Sequence, residues 1–253
     1  MKIPNKNPMI RFWNLDEETI FLNHGSYGAT PKIVLEEQNR WRKIVEKDPV
    51  KFYEDIAPKA LLDARKAIAD FVKCDYDDLA LIENATSGVN TVLRSLDFSI
   101  NDEILIPNHA YQACRNTVDY VAKKTGAKVI TCDIPFPIDN EQIIIERIMN
   151  CVTERTKLAL IDTVTSPTGI KMPFEELVNL LEEKGVMVLL DAAHGIGMIP
   201  LNLEKIGASF TTSNCHKWLC APKGSAFLHV RKDLQKSIHP LTISHGMTIP
   251  LDG

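Results

Sequence analysis

Residues 186–191 read VMVLLD, an unbroken apolar run that ends on a carboxylate, and residues 208–218 read ASFTTSNCHKW, a further strand candidate that leads into a polar loop holding Lys217. A short apolar run without alternation is the pattern of a strand buried on both faces, because neither face meets water. The same texture recurs at LALIE (79–83), EILIP (103–107), AKVIT (127–131), KLALIDT (157–163) and SAFLHV (225–230). Helical patterns separate the earlier runs at about 86–97, 111–125, 140–152 and 174–184. This alternation predicts an α/β fold, a doubly wound and mostly parallel seven-stranded sheet with helices on both faces. ASFTTS and SAFLHV lie too close together for a crossover helix, so an antiparallel last strand is expected. Two helices are expected ahead of the sheet, one over 31–47 opened by Pro31 and one over 58–72.

A chain of 253 residues with 45% hydrophobic side chains can bury a core the size of one large domain. Its net charge of −4 is spread through interspersed acids and bases, which argues against nucleic acid or an anionic membrane surface as a partner. Six cysteines are scattered along the chain, a usage that points to reduced thiols, a cytoplasmic location and no structural disulfide. The start, MKIPNKNPMIRFW, lacks the apolar stretch of a secretion signal, and no apolar run approaches the roughly 18 residues of a membrane span. No internal repeat interrupts the pattern.

Open sheets of this kind take their ligands beyond the carboxyl ends of the strands. Lys217 follows such an end. A lysine judged alone is ordinarily a solvated surface residue. His216 and Trp218 beside it would desolvate the ammonium and lower its pKa, as an amine that forms an imine with an aldehyde requires. Asp191 ends VMVLLD, and a buried carboxylate needs a cation or hydrogen-bond donors. It either caps the turn at Gly195 and Gly197 or pairs with a cationic ring nitrogen. Asn84, Ala85 and Thr86 open a helix whose amides and dipole suit a phosphate, a property that every capped helix shares. His109, in IPNHAY, could stack on an aromatic ring, shuttle a proton or serve as a loop donor. Ser166 and His194 end at the same edge and could each donate to a phenolic oxygen.

Together the strings ENATSG (83–88), NHAY (108–111), SPTG (166–169), DAAH (191–194) and NCHKW (214–218) resemble, in order, the class V aminotransferase family of fold type I pyridoxal phosphate (PLP) enzymes. That family includes cysteine desulfurases, isopenicillin N epimerase and carbon–sulfur lyases. The resemblance runs from about Phe21 to His245, and NHGSYGATP (23–31) is most similar to the epimerase and lyase branch. It implies PLP as cofactor and no metal. Lys217, Asp191 and His109 are implied as the catalytic set: Lys217 forms the internal aldimine, Asp191 pairs with the pyridine nitrogen, and His109 stacks on the ring. Ala85, Thr86, Asn214 and His216 are implied to contact phosphate, with Ser166 and His194 near the ring hydroxyl. The desulfurase pattern usually has Gln at the place of His194 and Ser at that of Asn214, and relatives often carry Asn at the place of Ser166. Cys215 and Cys220, so close to Lys217, are poorly placed to carry sulfur away.

The resemblance also implies an organisation. Residues 1–30 would contribute to a small domain or the substrate entrance, 31–245 would form the PLP-binding large domain, and 246–253 would begin a C-terminal small domain that relatives carry at length. A fragment or short isoform is therefore expected, and a homodimer, because relatives build the site at a subunit interface. The expected activity is carbon–sulfur cleavage of a cysteine-derived amino acid, with epimerisation or amino transfer as alternatives. An inactive truncated isoform or partner subunit is the alternative of another class. Other motifs are weaker. Gly195-x-Gly197 lacks a third glycine, Lys223-Gly224-Ser225 lacks the upstream glycine of a phosphate loop, and Cys215, His216 and Cys220 do not match zinc spacing.

Overall fold

The computed structural model describes residues 7–16 and 18–244. The expected small-domain start at 246–253 lies outside the described residues, as does part of the expected N-terminal segment. The sheet has seven strands in the order β1-β7-β6-β5-β4-β2-β3. They are β1 (Leu79–Ile82), β2 (Glu103–Pro107), β3 (Lys128–Cys132), β4 (Thr156–Asp162), β5 (Met187–Asp191), β6 (Phe210–Asn214) and β7 (Ala226–Val230). Strands β3, β2, β4, β5 and β6 pair in parallel, and β7 runs antiparallel to both β6 and β1. The expected antiparallel last strand is thus present. Residues 215–225 hold no crossover helix, so β7 can only fold back.

Period-two alternation explains the apolar texture. In β4, Leu158 and Leu160 face one core cluster while Ala159 and Ile161 face the other, and in β5 Leu189 and its neighbours Val188 and Leu190 divide the same way. One layer packs against α3 (Ala57–Val72), α6 (Glu141–Met149) and α7 (Phe174–Glu183), the other against α4 (Ala85–Ser95) and α5 (Gln112–Thr125). Truncating Leu189, which is fully buried, to alanine would cost about 2–5 kcal/mol through lost transfer energy and the cavity left behind.

The first helix, α1 (Lys32–Lys47), begins just after Pro31 as expected. Before α3 the chain adds a short turn, α2 (Pro49–Lys51), capped by the Asp48 carboxylate, and a π-helical turn over Phe52–Ile56. The Trp41 and Phe52 rings meet edge to face there, 6.2 Å apart, and both are half-buried. A short helix, α8 (Leu203–Ile206), follows β5. Among the described residues no helix is long and apolar enough to cross a membrane.

Candidate active site

The carboxyl ends of β4, β5 and β6 converge with the start of α4 around a cavity of about 390 Å³. A smaller recess beneath it shares Thr86, Tyr111, Ser166, His194, Asn214 and Lys217 with the cavity wall and adds Ala85, Asp162 and Asp191. A larger hollow of about 550 Å³ opens along β1 but is lined by neither Lys217 nor Asp191.

Asp191 and Asp162 are register partners at the ends of β5 and β4, and both are buried. Residues opposite one another in a parallel pair project to the same face. Asp191 Oδ1 accepts from the Ala193 amide at 2.9 Å, and its Oδ2 accepts only the weak Cys114 thiol at 3.2 Å. Among the described residues Asp162 Oδ2 has no hydrogen-bond partner. Burial pushes both carboxyls above the usual carboxylate range, Asp162 further still because of the Asp191 charge. Two buried acids with so few donors call for a cation or a charged N–H in this recess.

Lys217 is placed by the turn after β6. Its Nζ lies 3.2 Å from His194 Nε2 and 5.8 Å from the centre of the Tyr111 ring. Burial lowers its pKa, against the opposing pull of Asp191, Cys114 and Asp162. The N-terminal loop holds this turn from above: a Cβ on Gly28 would lie 2.3 Å from the His216 carbonyl oxygen and 2.4 Å from that of Lys217, so only glycine fits. Burial, and then the Lys217 charge, brings His194 down to about 4.

At the start of α4, Asn84 Oδ1 accepts the Ser87 amide and Asn214 Oδ1 accepts the Ala85 amide, both at 2.8 Å. These bonds tie the end of β6 to the helix start and leave the amide of Thr86, on the cavity wall, as a donor for an anion. His216 donates Nδ1–H to the Ser225 carbonyl at 3.0 Å and is among the residues that line the cavity.

Of the residues expected from sequence, Lys217, Asp191, Ala85, Thr86, Ser166, His194 and Asn214 border the recess, and His216 borders the cavity above it. His109 does not line either space. It is buried, with Nε2 at 2.9 Å from the Ile134 carbonyl and Nδ1 at 3.2 Å from Thr168 Oγ1. Tyr111, two residues on, forms that wall instead. Asp162, Tyr111 and Cys114 were not anticipated. The signal for Asp162 was present, since KLALID ends on a carboxylate as VMVLLD does. Among the described residues no group of His, Cys, Asp and Glu gathers as metal ligands, and all six cysteines are unpaired thiols.

The family model for aminotransferase class V matches residues 40–251. The chain belongs to the aminotransferase class-V family. Its members are PLP-dependent enzymes. The chain is similar to a putative L-cysteine desulfhydrase 1 of rice (Oryza sativa subsp. japonica), 33% identical over 250 residues, which cover 91% of this chain and 52% of that protein. It is also similar to the isopenicillin N epimerase of Streptomyces clavuligerus, at 31% identity over 93% of this chain and 59% of the relative. In fold it matches the cysteine desulfurase CsdA of Escherichia coli, with a TM-score of 0.81 at 19% identity over 96% of this chain and 62% of the other. The chain spans about half the length of the curated desulfhydrase relatives it matches.

The side chains of the recess and of the cavity above it suit the class-V family's cofactor. The orphaned Asp162 oxygen and the under-partnered Asp191 suit a protonated pyridine nitrogen, the lysine with lowered pKa suits an aldehyde, and the open Thr86 amide suits a phosphate.

Proposed function

We propose that this chain is the cofactor-binding part of a PLP-dependent carbon–sulfur lyase that acts on a cysteine-derived amino acid. The observation that carries the reading is that the Lys217 amine and the Asp191 carboxylate line one recess whose rim is a helix start. Bound there, PLP supplies an aldehyde for an amine and a ring that draws electrons from the substrate's α-carbon. Lys217 would hold the cofactor and, once freed by the substrate amine, take the α-proton at Nζ as general base. Asp191 would keep the ring nitrogen charged, with Asp162 beside it on β4. Thr86, Ala85, Asn214 and His216 would hold the phosphate end, and Ser166 and His194 would face the ring hydroxyl. Tyr111 would form the wall against the ring, in place of His109, whose two ring nitrogens are held by Ile134 and Thr168. The sulfur leaves with the electron pair of its bond to the β-carbon and is protonated as thiol or sulfide.

The lyase outcome is preferred over epimerisation and amino transfer because the rice relative is named a desulfhydrase and because NHGSYGATP lies folded against the lysine turn. A homodimer in the cytoplasm is part of the reading. Exposed Ile33, Val50, Tyr53 and Leu61 offer apolar surface for a second copy, and the unpaired thiols suit a reducing compartment.

The test is incubation of the PLP-loaded chain with L-cysteine and L-cystine. Release of sulfide or persulfide with matching pyruvate and ammonia is expected. Exchange of the α-proton without sulfur release would replace the lyase with an epimerase, and transfer of nitrogen to a keto acid would replace it with an aminotransferase. Failure to retain PLP would favour the inactive partner.

A further inference from the structure

We propose that Trp218, acting through His194, is a positioning residue that keeps the Lys217 amine uncharged in the cofactor-free site. The argument is one of donors and acceptors. The Trp218 indole nitrogen lies 3.1 Å from His194 Nδ1, and an indole N–H can only donate. His194 Nδ1 therefore presents its lone pair, and a neutral imidazole then carries its hydrogen on Nε2. That nitrogen lies 3.2 Å from Lys217 Nζ. An ammonium has three donors and no lone pair, so facing Nε2–H it would set donor against donor. A free amine has the lone pair that completes the chain from Trp218 through His194 to Lys217. An imidazolium at position 194 is excluded in the same way, because its Nδ1–H would point at the indole N–H.

The surroundings divide into two groups. Asp191 on β5, Asp162 on β4 and Cys114 on α5 favour the ammonium, and the Tyr111 ring lies within reach of cation attraction. Burial lowers both Lys217 and His194, and the Nε2–H of His194 facing Nζ adds a preference for the amine. The His194–Trp218 pair is covered by the N-terminal loop. A Cβ on Gly25 would lie 3.0 Å from His194 Cε1 and 3.2 Å from Trp218 Cζ2, and the His24 ring stands 6.1 Å from that of Trp218. The loop thus leaves the imidazole little room to turn over. An uncharged amine is the form that attacks an aldehyde, so the device would prepare Lys217 for capture of the cofactor.

The inference deepens the reading of Lys217 as the imine-forming amine and rests on it for its purpose. Its test uses cofactor-free protein, so it fails separately from that reading. Nitrogen-15 NMR of the histidine-labelled chain, with His194 assigned from the His194→Gln spectrum, is expected to show bare Nδ1 and protonated Nε2 at neutral pH. Reductive methylation followed by peptide mass spectrometry gives the titration of Lys217. The native residue is expected to react at lower pH than the exposed lysines. In Trp218→Phe the profile should move up by about one pH unit, slowing labelling about tenfold below the midpoint. His194→Gln should keep the native profile, because an amide can accept from the indole and donate to the amine. A native Nδ1–H tautomer or imidazolium at position 194 overturns the proposal, even if Trp218→Phe fails to fold. So does a folded Trp218→Phe with an unchanged profile.

Discussion

Asp162 and Asp191 stand opposite each other at the ends of adjacent parallel strands, both buried, and one oxygen of Asp162 has no hydrogen-bond partner. Carboxyls whose folded pKa lies above the unfolded value lose stability as pH rises beyond the ordinary carboxylate range. Asp162→Asn removes one ionisable group and offers an amide donor toward Asp191. Cofactor-free protein should therefore gain about 1–3 kcal/mol at pH 7, with a smaller gain near pH 4. Urea unfolding at the two pH values measures this, and a variant less stable than the native chain at pH 7 contradicts the account of the pair.

His194 is held neutral, and its folded pKa near 4 lies below the ordinary 6.5. Between those values the unfolded chain binds the extra proton, so the contribution of this residue is complete above 6.5 and is lost as pH falls to about 4. His24, His216 and His229 are shifted in the same direction, so the difference between native protein and His194→Gln isolates the effect. Allowing for partial exposure, the native chain should lose about 1–2 kcal/mol more than the variant across that range. Parallel stability curves for the two proteins would remove His194 from the buried neutral set.

Gly28 touches the backbone of the lysine turn. Gly28→Ala forces a methyl against two carbonyl oxygens and should cost about 1–3 kcal/mol, with PLP retention falling by more than global stability alone would explain. Thermal melts paired with equilibrium dialysis of PLP decide this. Native retention in a folded variant would show that the loop does not set the position of Lys217.

Strands such as β2, β4 and β5 were readable because both faces of the sheet are covered, which makes them short apolar runs. Asp191 could be found because it ends such a run, and Lys217 because it lies in the loop just after the next strand. The strand order could not, since pairings such as β1 with β7 join residues far apart in sequence and leave no local trace. The helical turns of residues 49–56 were missed because Asp48 and Pro49 interrupt the apolar spacing there. At IPNHAY the sequence cannot tell whether His109 or Tyr111 turns to the cavity. The choice depends on the Ile134 carbonyl and Thr168, which arrive from elsewhere in the chain and hold the imidazole back. Trp218 was readable as an apolar neighbour of Lys217, but its hydrogen bond to His194 depends on how two loops meet.

The most direct test of the central claim is borohydride reduction of the chain after incubation with PLP, followed by peptide mapping. The account predicts a yellow protein whose reduced pyridoxyl phosphate group is found on the peptide carrying Lys217 and is absent from Lys217→Ala. A label on Lys223 or another lysine, or no label in folded native protein, would contradict it.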